Sequence, residues 1–194
     1  MEAKHSLEKA AAHQADCFTT VSEITAIECE QLLERRPDVV TPNGFEREFV
    51  PSSAKEFASR RDEARRTMLN VASSLTGLKF DDNAFIVITS GRCEYRNKGL
   101  DVFLDSMNRL DSTKLCRHVI AFVMVPAWAK EARADLKAEL GKKRKHRLDD
   151  PVITHVLNNP DSDPVINRIH GIGFRNSALT TDEVTVIYVP SYLN

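Results

Sequence analysis

Apolar residues occur in five short, continuous runs, and these runs predict β-strands. They cover residues 17–21, 38–41, 84–89, 118–125 and 184–189. Most are rich in Val, Ile, Phe or Thr, which is typical of strands. Because hydrophobicity within them is continuous rather than alternating, we expect strands that are covered on both faces, as in parallel sheets flanked by helices. The pattern therefore predicts an α/β fold.

Between the runs, apolar residues recur at the spacing of an amphipathic helix. The clearest stripe follows the order i, i+3, i+4, i+7 and consists of Leu100, Phe103, Leu104 and Met107. A second stripe consists of Met68, Val71, Ala72 and Leu75. Further helices are predicted over residues 6–14 and 130–142. Helices and strands should therefore alternate along most of the chain.

Residues 22–44 combine a helix start, a second apolar run and a break. Ser22 can cap a helix that ends before Pro37. Its broad apolar face consists of Ile24, Ile27, Leu32 and Leu33. Asn43 and Gly44 tolerate positive φ and follow Pro42, so we expect the chain to leave its strand and turn there, at a domain boundary. Residues 141–163 carry a basic run followed by Asp, Asn and Pro, which is typical of a loop.

Composition narrows the possible partners. The chain has 194 residues, of which 42% are hydrophobic, and its 27 Lys and Arg nearly balance its 28 Asp and Glu. No global field favours nucleic acid or a membrane, so no partner of either kind is expected. The four cysteines lack the spacing of a metal site or a disulfide framework, and we expect free thiols. Acidic and basic residues near Met1, together with the short apolar runs, argue for a cytoplasmic protein.

One turn carries candidate chemistry. It follows a predicted strand and begins with Gly91, where the backbone can approach a ligand closely. Arg92 offers a planar fork for phosphate oxygens, and Lys98 supplies a second cation. The N-terminus of the next helix adds oriented N–H groups. Local physics leaves an alternative open, in which Arg92 pairs with Glu94 and Lys98 is an ordinary exposed residue.

Several collinear motifs resemble the glycogen synthases of animals, fungi and some bacteria. They are residues 17–28 (CFTTVSEITAIE), 37–44 (PDVVTPNG), 91–104 (GRCEYRNKGLDVFL), 162–166 (SDPVI), 172–176 (IGFRN) and 186–190 (VIYVP). The resemblance implies a B-type glycosyltransferase fold of two Rossmann-like domains. Residues 1–44 would be the C-terminal part of the first domain and the crossing, and residues 45–194 the N-terminal part of the second, nucleotide-sugar-binding domain.

The resemblance also implies an activity and a set of roles. Glucose would move from UDP-glucose to the non-reducing end of an α-1,4-glucan with retention of configuration. No separate cofactor and no metal are expected. Arg92 and Lys98 would hold the donor diphosphate, while Glu94 would orient Arg92 rather than act as a base. The other loop residues, Gly91, Asn97 and Gly99, would shape the turn, and Asn43 and Gly44 would form a hinge, although a plain turn is an equal alternative.

The family's glycine-rich donor loop and its motif E-x-W-G-x-T-x-x-E have no counterpart in these residues. We therefore expect an internal fragment that contains no catalytic residue and is inactive alone. The segment between Pro126 and Pro151 is shorter than the helical insertion that the animal and fungal enzymes use in subunit association, so an oligomer is possible but not argued. Two other functions stay open: a non-catalytic module that binds a nucleotide or sugar phosphate, and a fragment that recruits a protein partner.

Overall fold

The computed structural model describes residues 2–177 and 183–192. The chain divides into two compact units, Met1–Phe57 and Ala58–Asn194. This division follows residue 57, whereas the sequence places the domain boundary at residue 44. The domain roles inferred from the resemblance therefore stay predictions.

The first unit contains two helices and a small parallel sheet. Its elements are α1 (Glu2–Gln14), β1 (Thr19–Thr20), α2 (Glu23–Leu33), β2 (Val39–Val40) and a short 3-10 helix, Arg47–Phe49. β1 and β2 pair in parallel, with Thr19 opposite Val39. Ser22 caps α2 as predicted, because its Oγ accepts a hydrogen bond of 3.1 Å from the backbone N–H of Thr25.

The predicted apolar face of α2 is not buried within the described part of the unit. Ile24, Ile27 and Leu32 are 73%, 52% and 63% exposed, and of α2 only Ala26 is buried. The physical reason is the size of the sheet, since strands of two residues each cannot cover a helix face. After β2 the chain has no regular structure over residues 41–46, and Asn43 and Gly44 do not use the positive φ that they tolerate.

The second unit is a parallel sheet with helices on both faces, as predicted. Its elements are α3 (Ala54–Thr76), whose first four residues belong to the first unit, followed by β3 (Phe85–Ser90), α4 (Leu100–Asp111), β4 (Val119–Met124), β5 (Ala129–Ala132), α5 (Ala134–Leu140), β6 (His155–Leu157), α6 (Pro164–Ile172) and β7 (Val184–Val189). The main sheet has the order β3, β4, β7, all parallel. β5 and β6 form a separate antiparallel pair.

Two apolar layers cover the main sheet, and the strand residues alternate between them. One layer joins Ala121, Val123 and Val186 to buried residues of α4 and α6, including Leu104 and Ile169. The other joins the intervening strand residues Ile120, Phe122 and Ile187 to Leu75 of α3 and Leu136 of α5. Both faces of β4 and β7 are buried, so these strands read as continuous apolar runs, whereas the edge strand β3 is only partly covered.

Three segments of the chain differ from the sequence prediction. Residues 130–132 belong to β5 rather than to the predicted helix over residues 130–142, which is confirmed only for α5. The predicted loop over residues 141–163 contains β6 and a 3-10 helix, Pro160–Ser162. Helix α6 was not predicted at all. β5 and β6 stabilise each other through pairing at a distance in sequence, which local composition does not encode.

Asn176 occupies the outer edge of β7. Its side chain is 1% exposed, and its Nδ2 donates to the carbonyls of Val186 at 2.7 Å and Pro151 at 3.1 Å. Its Oδ1 accepts from the N–H of Val186 at 3.1 Å. The residue has φ of 45°, a conformation that Asn tolerates better than most residues. The side-chain amide therefore pairs with β7 much as a neighbouring strand would.

We predict that Asn176→Ala lowers the free energy of unfolding by about 3 kcal/mol, since it leaves the buried polar groups of Val186 without partners. Urea denaturation followed by circular dichroism measures this change. Asn167→Ala is the control, because Asn167 is exposed and its side chain donates to the carbonyl of Asp161 at the surface. A loss no larger than that of the control would contradict the role of Asn176.

Glu139 of α5 is a buried carboxylate that organises the basic run after it. It accepts hydrogen bonds from Lys142 Nζ at 2.6 Å and from the N–H of His146 at 2.7 Å. The bond from Lys142 is the largest cause that lowers the pKa of Glu139, from 4.5 to about 2. Lys145 Nζ donates to the last carbonyls of α5, those of Glu139 and Leu140, at 2.8 Å each.

We predict that stability depends on pH through Glu139. A carboxyl group whose pKa falls on folding stabilises the protein above its unfolded pKa, and this contribution is lost as the pH falls from about 4.5 through about 2. Glu139→Gln should remove that part of the acid dependence in urea denaturation, while Glu131→Gln, at an exposed position, should leave it unchanged. Identical acid profiles for Glu139→Gln and the unmodified chain would contradict this.

Candidate functional site

The turn Gly91–Gly99 lies at the carboxyl edge of the main sheet. β3 ends at Ser90, which is in register with Met124 of β4, and Met124 is in turn in register with Val189 of β7. Because all three strands are parallel, their carboxyl ends meet at one edge. Open α/β sheets bind ligands at this edge. The structure therefore confirms where the predicted loop lies, between β3 and α4.

Two glycines and a set of short hydrogen bonds shape the turn. Gly91 has φ of 143° and Gly99 has φ of 64°, both unfavourable for other residues. The N–H of Lys98 donates to the carbonyl of Glu94 at 2.8 Å, and that of Leu100 donates to the carbonyl of Tyr95 at 2.9 Å. Apart from Gly91 and its two chain neighbours, no heavy atom lies within 4 Å of the place that a Cβ on Gly91 would occupy. A ligand can therefore approach the backbone of Gly91.

Two side chains of the turn point inward and anchor it. Cys93 and Tyr95 are partly buried against the apolar layer beneath. Cys93 lies beside the hydroxyl of Tyr188, and burial raises the pKa of its thiol. Burial also raises the pKa of Tyr188, so this tyrosine stays protonated and can donate.

Tyr188 connects the turn to α6. Its hydroxyl donates to Asp163 Oδ2 at 3.0 Å. The other oxygen of Asp163 accepts from the N–H groups of Val165 and Ile166 at 2.9 Å each, which caps α6. The turn, the end of β7 and the start of α6 thus share one buried polar network. Sequence reasoning missed it, although Asp163 followed by Pro164 and spaced apolar residues is a helix-start signal.

The predicted ligand-binding side chains point outward. Arg92, Asn97 and Lys98 are exposed. Arg92 Nε lies 3.2 Å from Glu94 Oε1, with the Arg92 side chain 79% exposed. Within residues 2–177 and 183–192, Lys98 has no carboxylate within 4 Å. The ion pair of Arg92 and Glu94 is compatible with both earlier interpretations, an orienting contact or an ordinary surface pair.

A cleft of about 380 Å³ adjoins the turn. It is lined by Ser90, Gly91, Arg92, Met124, Pro126, Ser191 and Tyr192. Arg92 and Gly91 thus share a concavity, whereas Lys98, Asn97 and Glu94 do not line it. Among the residues that the structure describes, no group of three His, Cys, Asp or Glu side chains is placed to hold a metal ion.

The start of α4 offers fewer free N–H groups than the sequence suggests. The N–H of Leu100 donates to the backbone carbonyl of Tyr95, and the N–H of Val102 donates to Asp101 Oδ1, at 2.9 Å each. The negative charge of Asp101, in the first turn of α4, also interacts favourably with the positive end of the helix dipole. The exposed cations of the turn are therefore the main groups available to an anion.

Comparison with known proteins identifies the family. The family model described as glycogen synthase matches residues 2–145. The chain belongs to the glycogen synthase family. Its glycogen [starch] synthase relatives include that of Neurospora crassa, which is 27% identical over 98% of this chain and 35% of its own length. Human liver glycogen [starch] synthase is 31% identical over 98% of the chain and 35% of its own length.

The chain spans about a third of the length of the relatives it matches. Isoform 1 of Saccharomyces cerevisiae is 30% identical, with 98% of this chain and 36% of that protein covered. The alignments are longer than the chain, so the relatives contain residues that it lacks. The family match covers the Gly91–Gly99 turn. No helix in the described ranges is both long and apolar enough to cross a membrane.

We predict that Tyr188→Phe loosens the turn. The variant removes the hydroxyl that donates to Asp163 and lies beside Cys93, so Cys93 should react with a thiol reagent about tenfold faster through local opening. The measurement uses a chain in which Cys17, Cys29 and Cys116 are replaced by Ser.

Thr185→Val is the matched control for Tyr188→Phe. It removes another buried hydroxyl of β7, which lies 2.8 Å from His118 Nε2. This variant should lower overall stability without exposing Cys93 selectively. Equal acceleration of Cys93 labelling in both variants would show that Tyr188 has no particular connection to the turn.

Proposed function

We propose that this chain is the part of a glycogen synthase-type glucosyltransferase that holds the diphosphate of UDP-glucose. The single observation that carries the proposal is the position of Arg92 and Lys98. Both are exposed on a glycine-bounded turn at the carboxyl edge of a parallel sheet, in a chain of this family. The acceptor would be the non-reducing end of an α-1,4-glucan.

The proposed chemistry is stabilisation of the leaving group. As the glycosidic bond of the donor breaks, negative charge builds on the departing UDP, and fixed cations stabilise that charge in the transition state. The guanidinium of Arg92 can donate two parallel hydrogen bonds to phosphate oxygens. Lys98 supplies a point charge on the same turn.

The contact between Arg92 and Glu94 does not oppose this role. An exposed ion pair contributes only about 0–1 kcal/mol, so exchange of the Glu94 carboxylate for a diphosphate has a small cost. Until the donor arrives, Glu94 limits the orientations of Arg92. Glu94 is thus proposed as a positioning residue, together with the turn-shaping residues Gly91, Asn97 and Gly99.

The larger architecture also remains part of the proposal. Residues 1–44 would complete a first Rossmann-like domain, and Asn43 and Gly44 would act as a hinge between it and the nucleotide-sugar-binding domain. The irregular segment over residues 41–46 is compatible with a hinge. The cytoplasm is the proposed location, because nucleotide sugar and glucan would be the substrates.

We predict that Arg92→Ala and Lys98→Ala each weaken UDP binding to this chain by tenfold or more. A charge-assisted hydrogen bond contributes about 1.5–3 kcal/mol, and about 1.4 kcal/mol corresponds to tenfold. Isothermal titration calorimetry measures the affinity. Arg96→Ala is the control, since Arg96 is an exposed cation of the same turn with no proposed role.

Three outcomes separate the alternatives. If UDP binding survives both Arg92→Ala and Lys98→Ala, or if Arg96→Ala weakens it equally, then Arg92 and Lys98 do not form a diphosphate site. UDP binding by the chain, without glucosyl transfer when the flanking coding sequence is joined to it, would favour a non-catalytic module. Transfer by the joined chain that Arg92→Ala abolishes would support the glucosyltransferase.

A further inference from the structure

A second concave surface lies at the opposite end of β3 from the turn Gly91–Gly99. This groove has a volume of about 640 Å³. It is formed by the last turns of α3, by residues 77–82, which lead into β3, and by residues 143–145 of the basic run. Since β3 has six residues, its two end residues are about 17 Å apart at about 3.3 Å per residue. The groove is therefore separate from the candidate donor site.

Cations dominate the rim of the groove. Arg66, Lys79, Lys143 and Arg144 all line it and are all exposed. Within the described chain, none of these four has a carboxylate within 4 Å. Asp82 is the one carboxylate among the described lining residues. The groove thus presents a local positive field, although the charges of the whole chain nearly cancel.

The basic run is held in place rather than freely solvated along its length. Lys142, Lys145 and His146 are bonded to Glu139 or to the last carbonyls of α5, as described above. Lys143 and Arg144, which lie between Lys142 and Lys145, line the groove together with Lys145. The fold therefore fixes the backbone that carries the two unpaired cations.

The base of the groove is apolar. Leu69 is buried, and Leu78 and Phe80 are partly buried. Asn70 and Ser73 lie beside them and can hydrogen-bond to a ligand. An apolar centre with an exposed, charged rim is the anatomy of a protein interface. A site for a small anion would instead place a few polar groups inside a mainly apolar pocket, whereas here all four unpaired cations are exposed.

We propose that this groove binds an acidic peptide segment of a protein partner. Its carboxylates would pair with Arg66, Lys79, Lys143 and Arg144, and one apolar side chain would pack on Leu69, Leu78 and Phe80. The pairing of opposite charges across such a surface raises the association rate and selects the partner. This inference does not depend on the function proposed for Arg92 and Lys98.

The test is fluorescence anisotropy with a fluorescein-labelled synthetic peptide of glutamate, leucine and phenylalanine. Arg66→Glu and Arg144→Glu should each weaken binding by about tenfold. Lys130→Glu on β5 is the control, because it changes the net charge equally at an exposed position that does not line the groove. Equal weakening by Lys130→Glu would overturn the proposal, as would the absence of binding to the unmodified chain.

Two further variants separate docking from general charge attraction. Leu78→Ser removes part of the apolar base without changing charge, and Asn70→Asp adds a negative charge at an exposed position inside the groove. Both should weaken binding by about fivefold or more, with circular dichroism used to verify the fold. Unchanged affinity in both variants would overturn the proposal. Displacement of the peptide by pyrophosphate or by an oligothymidylate at a lower concentration than unlabelled peptide would also overturn it, in favour of a small anion or nucleic acid.

Discussion

Burial of both faces of β4 is the constraint on which the second unit depends. Residues Val119 to Val123 are each at most 7% exposed, so helices must cover the sheet from two sides. A strand buried in this way suits parallel pairing, and parallel pairing requires a long connection from the end of one strand to the start of the next. Those connections contain α4, α5 and α6. The carboxyl edge of the sheet, where the turn Gly91–Gly99 lies, is a consequence of this arrangement.

The same constraint divides the turn into an inner and an outer set of side chains. Cys93 and Tyr95 extend the apolar layer above α4 and α6, and Tyr188 supplies a hydrogen-bond donor where that layer meets Asp163. Neighbouring residues in the turn, Arg92 and Lys98 among them, are left exposed. A rigid anchor beneath exposed cations reduces the number of conformations that a ligand must select.

Many of the helices and strands can be predicted from short stretches of sequence, whereas others depend on contacts between residues that are distant in the chain. Continuous apolar runs predicted the strands of the main sheet, and the stripe through Leu100 and Leu104 predicted α4, because burial on one side leaves a periodic signal. β5 and β6 gave no such signal, since they are short and only partly buried. The location of Arg92 and Lys98 followed from the sequence, whereas the bond from Tyr188 to Asp163 joins residues 25 positions apart and required coordinates. The sequence predicts the basic run only as part of a loop, because the contacts that hold it depend on the burial of Glu139.

Asn176 has a further consequence for how the sheet can grow. The outward-facing backbone groups of β7 already have partners: Asp111 for Val184, Asn176 for Val186, and Val152 and Thr154 for Tyr188. Among the described residues, nothing pairs with the outer side of β3. The backbone groups described above at the β7 edge of the main sheet are thus already hydrogen-bonded, whereas the β3 edge is available to pair with another strand. An additional strand, from this protein or from a foreign chain, would therefore join the main sheet beside β3, because Asn176 acts together with Asp111, Val152 and Thr154 to occupy the β7 edge.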